Sequence, residues 1–228
     1  MKVLALDTSG NVSTVAVLVD GALAAEITLR SAARHGETLL GHLERALGEA
    51  GVQPAAVGLV AVGLGPGSFT GLRVGVAAAK GLAFARKIPI VGVPTSRARG
   101  RGLFGAVRVP LVDAHKGEVF AAVYEAGPDG RLRTHLWPVH GPPEAMAQAV
   151  RQVAPGEIVI AGSALAVHRD RLLAALGPAV VIAPPVFDVP RAALVALEAE
   201  EAFRERGPDD LASLEPLYLR ASDAVPAP

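Results

Sequence analysis

The pattern of apolar and polar positions changes several times along the chain, and each change predicts a separate element. Near the N-terminus, apolar runs separated by polar turns, including Asp20-Gly21, predict an antiparallel meander of three strands. Apolar residues at three- and four-residue spacing then predict a helix over 36–50, and a second, more apolar helix is predicted over 69–86. The predicted strands of this first half are 3–7, 14–19, 22–29, 57–64 and 88–93.

The second half of the chain repeats this order of elements without repeating the sequence. Its predicted strands are 107–112, 118–124, 131–137, 158–161 and 180–183, and its predicted helices are 143–153, 169–176 and 190–206. Three strands, a helix, a strand, a helix and a strand thus occur twice, which predicts two related α/β lobes. We place the first lobe at 1–100, the second at 101–220, and a disordered tail at 221–228.

The composition excludes several functional classes. The 22 basic residues balance the 22 acidic residues, which argues against a nucleic-acid binder that works alone. Because cysteine is absent, the chain has no disulfide framework, thiolate metal site or cysteine nucleophile. Asp7, Arg73 and Lys80 interrupt the apolar runs, so we expect a cytoplasmic protein that does not enter the membrane. The hydrophobic content of 51% predicts a broad core or an apolar surface that a partner covers.

A glycine-rich turn, Gly-Pro-Gly-Ser-Phe-Thr-Gly at 65–71, precedes the second predicted helix. Such a turn can direct backbone N–H groups at an anion. However, Thr70 stands where a dinucleotide fingerprint needs glycine, and Leu72-Arg73 stand where a Walker loop needs Lys-Ser/Thr. The alternative is structural: Ser68 or Thr70 caps the helix and the glycines allow a tight turn.

Two aspartates at strand ends are further candidates. Asp7 opens an Asp-Thr-Ser-Gly turn, which resembles the phosphate-contacting turn of the actin, sugar-kinase and Hsp70 superfamily, and Asp113 opens a polar turn that contains His115. Polar turns of this composition also occur without any ligand. The six histidines include no pair at i, i+4 spacing, and His35 and His42 are seven apart. No metal site or catalytic set can therefore be assembled, and we expect no cofactor.

A cluster of arginines, Arg97, Arg99, Arg101 and Arg108, lies between the two halves. These side chains could contact RNA phosphate or an acidic partner. The alternative is a charged connector that faces solvent. The sequence leaves both interpretations open.

The predicted helix over 69–86 is apolar nearly all round, which is typical of a helix covered on more than one side. We expect a partner surface on this helix and on the helix over 36–50, with Gly75 and Ala79 allowing a second helix to approach closely. The expected contact residues are Leu39, Leu40, Leu43, Leu47, Gly71, Leu72, Gly75, Val76, Ala79 and Ala83. The alternative is that these faces are internal core.

Five segments together resemble the TsaB (YeaZ) family: 4–8, 35–40, 65–73, 113–120 and 216–220. The most specific is Gly-Pro-Gly-Ser-Phe-Thr-Gly-Leu-Arg at 65–73. The resemblance implies an actin/Hsp70-like (ASKHA) two-lobed fold in which each lobe is a mixed sheet flanked by helices. It also implies a non-catalytic role in making N6-threonylcarbamoyladenosine beside the anticodon of tRNAs that read ANN codons.

The same resemblance implies partners. A paralogue, TsaD, performs the transfer together with an ATPase, TsaE, while the chain alone is expected to form a homodimer and to reach tRNA only through the complex. The two metal-binding histidines of the paralogue align with Thr95 and Arg99, which cannot replace imidazole ligands. Two alternatives stay open: a glycopeptidase, and an actin-like ATPase or phosphotransferase active by itself, for which Gly162-Ser163 is a weak nucleotide motif.

Overall fold

The protein consists of two lobes, each built on a five-stranded mixed sheet. The computed structural model describes residues 1–30, 35–154 and 156–219, without the side chains of 35–37. The expected tail at 221–228, Arg220 and the side chain of His35 lie outside the described residues. Two lobes with this architecture confirm the actin-like fold class expected from the sequence.

The sheet of the first lobe has the strand order β3-β2-β1-β4-β5. Strands β1 to β3 form the predicted antiparallel meander, and β4 and β5 continue the sheet parallel to β1. The strands are β1 (Lys2–Asp7), β2 (Val12–Val19), β3 (Ala22–Arg30), β4 (Leu59–Gly63) and β5 (Ile90–Val93). Helices α1 (His35–Glu49) and α2 (Phe69–Arg86) pack on one face of this sheet, on side chains such as Leu4, Leu6 and Val15.

The sheet of the second lobe repeats this topology with the order β10-β9-β6-β7-β8. The strands are β6 (Val107–His115), β7 (Glu118–Ala126), β8 (Leu132–Gly141), β9 (Ile158–Ala161) and β10 (Val180–Ile182). Helices α4 (Pro143–Val153) and α5 (Ala164–Leu176) pack on one face of it. Helix α5 begins five residues earlier than predicted and is kinked at His168, which has non-helical backbone angles.

Two helices connect the lobes. Helix α3 (Thr95–Gly102) packs on the second sheet and on α6 (Ala192–Arg206). Helix α6 covers the second face of the first sheet with small side chains, because Ala192, Ala196 and Ala199 allow a close approach to the strands. Both faces of the first sheet are therefore covered, which explains why its central strands are apolar without alternation.

The chain returns to the first lobe after the second sheet, unlike the sequence-based division that assigned 101–220 to the second lobe. Helix α6 packs on the first sheet. After it, the Gly92 N–H donates to Asp209 and the Leu217 N–H donates to the carbonyl of Leu64. Leu219 then packs on a cluster of the second lobe that contains Phe120. Residues 207–219 therefore form a strap from the first lobe to the second.

Most predicted elements are confirmed, three of them to the residue: α2, α4 and β9. The clearest difference is α3, a segment for which the sequence predicted no helix. Its glycines and arginines form no apolar stripe, and the helix is fixed instead by long polar side chains. In the described ranges, no helix is long and apolar enough to cross a membrane.

Candidate functional site

The glycine-rich turn and the start of α2 pack directly against the turn between β1 and β2. A Cβ atom on Gly67 would lie 2.0 Å from the carbonyl oxygen of Ser9, and one on Gly71 would lie 2.0 Å from that of Thr8. A Cβ atom on Gly75 would lie 2.3 Å from Thr8 Oγ1. Real Cβ atoms do not make such contacts, so these three positions require glycine.

Hydrogen bonds fix the same contact. Ser68 N–H donates to the carbonyl of Ser9 at 2.6 Å, and Thr8 Oγ1 donates to the carbonyl of Gly71 at 2.7 Å. Ser68 also caps α2, because its Oγ accepts the Gly71 N–H at 3.2 Å. These contacts favour the structural interpretation of the turn over an anion site: the start of α2 faces the protein's own first hairpin.

Asp7, the first of the two candidate aspartates, is fully buried at the end of β1. Its Oδ1 accepts the Ser9 N–H at 2.8 Å and its Oδ2 accepts the Thr95 hydroxyl at 2.6 Å. The hydroxyl of Thr95 in turn accepts the Gly65 N–H at 3.0 Å. Asp7 thus holds together the ends of β1 and β5 and the glycine-rich turn, and both of its oxygens are used.

The guanidinium group of Arg99 lies between the lobes beside the turn that joins β1 and β2, where a Cβ atom on Gly10 would be 3.8 Å from its Nη2. Arg99 is buried and donates from Nη1 to the carbonyl of Asp188, while its Nε has no hydrogen-bond partner among the described residues. Burial lowers the pKa of Arg99, and the negative charges of Asp7 and Asp188 oppose that shift. The space between Asp7 and Asp188 thus contains the positive charge of Arg99, which belongs to the chain itself.

The second candidate aspartate, Asp113, is surrounded by polar groups of the second lobe. His115 Nδ1 lies 3.2 Å from Asp113 Oδ2, and the Nε2 atom of the buried His168 lies 3.5 Å from Oδ1. The Asp113 N–H donates to Ser163 Oγ at 3.0 Å. The kink in α5 brings His168 to this position, which the sequence did not indicate. Within the described part of the chain, no three acidic or histidine side chains are grouped as a metal site would require.

Asp188 approaches this cluster from the short 3-10 helix Pro185–Asp188. Its Oδ1 accepts the Gly162 N–H at 2.6 Å. Burial raises the pKa of Asp188, and the Gly162 hydrogen bond and the Arg99 charge reduce that shift. Gly162-Ser163, the weak nucleotide motif, therefore binds Asp188 and Asp113 of the chain itself.

The arginine cluster between the lobes has partners inside the protein. Arg97 and Arg101 both bind Glu198 of α6, which is almost fully buried, and Arg101 also binds Glu201 through both of that residue's oxygens. Burial alone would lower the pKa of Arg101, but its bonds to Glu201 and Glu198 and their charges raise it. Arg108 donates to the carbonyls at positions 100, 101 and 105. Sequence reasoning missed the two glutamates, whose i, i+3 spacing on a predicted helix was the available signal.

Comparisons with known proteins agree with the resemblance in the sequence. The chain is 33% identical over 174 residues to the tRNA threonylcarbamoyladenosine biosynthesis protein TsaB of Escherichia coli, covering 72% of this chain and 71% of that protein. This chain belongs to the TsaB family. It also has a TsaD-type domain, since residues 26–227 match the family model for tRNA N6-adenosine threonylcarbamoyltransferase.

Solved structures place the TsaB fold of this chain in a wider group. YeaZ from Pseudomonas aeruginosa superposes with a TM-score of 0.81 at 28% identity, covering 96% of this chain and 99% of that one. A ROK hexokinase from Thermus thermophilus superposes with a TM-score of 0.53 at 17% identity, covering 90% of this chain and 100% of that one. The second likeness concerns the fold alone.

The partner surface expected for this TsaB family member falls mostly on buried positions. Nine of the ten expected contact residues are buried in the interior of the first lobe, and Leu40 is the exception at 57% exposed. Gly75 faces Thr8 instead of a second helix, because Gly71 and Gly75 lie on the inward-facing stripe of α2. The outward face of α2 carries Ala77, Gly81 and the 75% exposed Phe84.

Proposed function

We propose that this chain is a non-catalytic subunit of the complex that makes N6-threonylcarbamoyladenosine beside the anticodon of tRNAs reading ANN codons. Membership of the TsaB family supports a role in this biosynthesis. The observation that carries the non-catalytic part is that Asp7, the glycine-rich turn and Gly162-Ser163 are all bound by groups of the chain itself. A subunit of this kind acts by binding its catalytic partner.

The partner in this proposal is the TsaD paralogue, and the surface is the outward face of α1 and α2. Three glycines on these helices, Gly41, Gly48 and Gly81, have nothing within 4 Å of the position where a Cβ would be. Glycine inside a helix costs about 1 kcal/mol relative to alanine. Because no contact in the chain requires glycine at these positions, close approach of a partner helix is the explanation we favour.

The catalytic part of the proposal is tested with ATP and magnesium. We expect no phosphate release by the purified chain alone, and modified tRNA only after the paralogue, TsaE and the other pathway proteins are added. Hydrolysis that co-elutes with the chain and is lost in Asp7→Asn would contradict the proposal and favour the actin-like ATPase. Failure of the chain to stimulate modification in the complete mixture would also contradict it.

The pairing surface is tested with two arginine substitutions of equal charge. Gly81→Arg should leave the melting curve close to that of the wild type, because the position is open, yet abolish co-elution with the paralogue. Gln152→Arg, on an exposed position of α4, should leave both unchanged. If Gly81→Arg still co-elutes with the paralogue, the surface lies elsewhere. The same variants report whether a homodimer of the chain alone uses this face.

A further inference from the structure

A cavity of about 440 Å³ opens at the border of the two lobes. It lies between the end of β5, helices α3 and α6, and the edge strand β8, and its walls include Val93, Leu132, Trp137 and Ala202. Neither Asp7 nor Asp113 lines it. Its volume falls in the range of sites that hold small molecules.

One wall of this cavity is an aromatic side chain that the fold does not cover. Trp137, the one tryptophan of the chain, is 61% exposed. Tryptophan has a large apolar face, so an exposed indole at a cavity wall can stack against a planar ligand. Planar rings that stack on exposed aromatic side chains include the nucleobases.

The charged groups of the cavity fall into two layers. In the floor, Arg97 binds Glu198, Thr134 and the carbonyl of Leu132, and Glu201 is bound through both oxygens by Arg101. These floor groups are fixed by one another. At the rim, Arg131 binds Glu205, and both side chains are about half exposed. An exposed pair of this kind contributes little to stability, so its groups can turn to a ligand.

The rim groups discriminate among planar ligands. A carboxylate accepts two hydrogen bonds at once from the N1–H and N2–H donors of guanine, whereas a guanidinium donates two at once to its O6 and N7 atoms. Adenine offers no such pair of adjacent donors or adjacent acceptors to either group. The lining residues carry three arginines and three glutamates, so their formal charges cancel and recognition rests on hydrogen bonding and stacking and not on net charge.

We propose that this cavity binds a guanine base, stacked on Trp137 and held at its edge by Glu205 and Arg131. The base would come from a free guanine nucleotide or from single-stranded RNA. This inference goes beyond the proposed function and does not depend on it, since the cavity is separate from the α1 and α2 surface.

The test uses the intrinsic fluorescence of the full-length chain, because all tryptophan emission comes from Trp137. Titration with GMP should quench this emission with saturation, and AMP and CMP should bind at least about tenfold more weakly, since among these three bases guanine alone offers two adjacent N–H donors to the Glu205 carboxylate. Equal quenching by GMP and AMP would overturn the guanine assignment. No saturable quenching by GMP or by a short guanosine-containing RNA would overturn the site. Saturation by the RNA alone would support it and identify RNA as the source.

Variants of Trp137 lack the fluorescent group, so their GMP binding is measured by calorimetry. Trp137→Leu should weaken GMP binding by about tenfold or more, and Trp137→Phe should retain part of it because the phenyl ring still stacks. Glu205→Gln should reduce the preference for GMP over AMP, whereas Val186→Ala, another exposed apolar position, should change nothing. Unchanged GMP binding in a folded Trp137→Leu variant would refute the site. So would a Trp137→Leu variant that loses only co-elution with the paralogue, because the cavity would then face a protein.

Discussion

The glycine-rich segment 65–75 and the arginine-rich segment 97–108 have the same ambiguity in the sequence, because either could bind an anion. In the structure both are bound by the chain itself, in different ways. The glycine-rich segment fits against Thr8 and Ser9 by shape, backbone to backbone. The arginine-rich segment is fixed by charge, mainly through Glu198 of α6.

Because the two segments are held in different ways, they tolerate different substitutions. A fit by shape excludes any added atom and does not depend on salt or pH. A fit by charge tolerates changes of size but requires its partner, because a buried charge without one is strongly unfavourable. The following substitutions separate these two kinds of contact.

The largest effect is expected from Gly75→Arg. The new side chain would begin 2.3 Å from Thr8 Oγ1, inside the first lobe, so we expect loss of the folded state. Circular dichroism during thermal unfolding measures this. Gly81→Arg, which adds the same side chain to the outward face of the same helix, is the control. A folded Gly75→Arg variant would show that the shape fit is not strict.

The second largest loss of stability is expected from removal of the Glu198 carboxylate, which binds two arginines of α3. Glu198→Ala leaves Arg97 and Arg101 without their shared buried partner, and we expect a loss of about 3–5 kcal/mol in the free energy of unfolding. Glu205→Ala breaks the exposed pair with Arg131 and should cost no more than about 1 kcal/mol. Urea unfolding of both variants provides the comparison, and equal losses would contradict a fit by buried charge.

A pH effect of intermediate size is expected where the arginine-rich segment meets the second sheet. Tyr124 is fully buried, and its hydroxyl lies 2.9 Å from the hydroxyl of Ser96 on α3. Burial raises the pKa of Tyr124 to about 12, and the hydrogen bond with Ser96 partly offsets this rise. Because the pKa in the unfolded chain is about 10, the resulting stability is complete below pH 10 and is lost as the pH rises towards 12. The loss should be about 2–3 kcal/mol.

This titration is measured in a Tyr218→Phe background, which leaves Tyr124 as the remaining one of the two tyrosines. Ultraviolet absorbance then follows tyrosinate formation, and urea unfolding at each pH follows stability. Adding Tyr124→Phe should remove the decline between pH 10 and 12 that this group causes. An identical decline with and without Tyr124 would contradict the assignment.

The smallest effect is expected at the cap of α2. Ser68→Ala removes the acceptor for the Gly71 N–H and should lower the free energy of unfolding by about 1 kcal/mol. Thr70→Ala, at the neighbouring exposed position, should change it by less than about 0.5 kcal/mol. If Thr70→Ala has the larger effect, the cap has been assigned to the wrong hydroxyl.

The order of the elements, the two-lobed class and the family could all be predicted from the amino-acid sequence. Hydrophobic period and turn residues are local properties, and they located α2, α4 and β9 to the residue. The motif at 65–73 can likewise be recognised without knowledge of the fold. Helix α3 was not predicted because it has no apolar stripe and is held largely by Arg97 and Arg101, whose partner Glu198 on α6 lies about a hundred residues away in the chain.

Two features could be identified only in the tertiary structure. One is the apolar stripe of each helix that faces inward, and the other is the set of residues that each charged segment binds. On α2, Gly75 and Gly81 are the same residue type on one helix, yet a Cβ atom on Gly75 would collide with Thr8 and one on Gly81 would have nothing within 4 Å outside its own helix backbone. Similarly, Trp137 became a candidate site only when β5, α6 and β8 were seen to enclose a cavity beside it. The physical reason is that burial and ion pairing depend on neighbours from distant parts of the chain, which local pattern and composition do not specify.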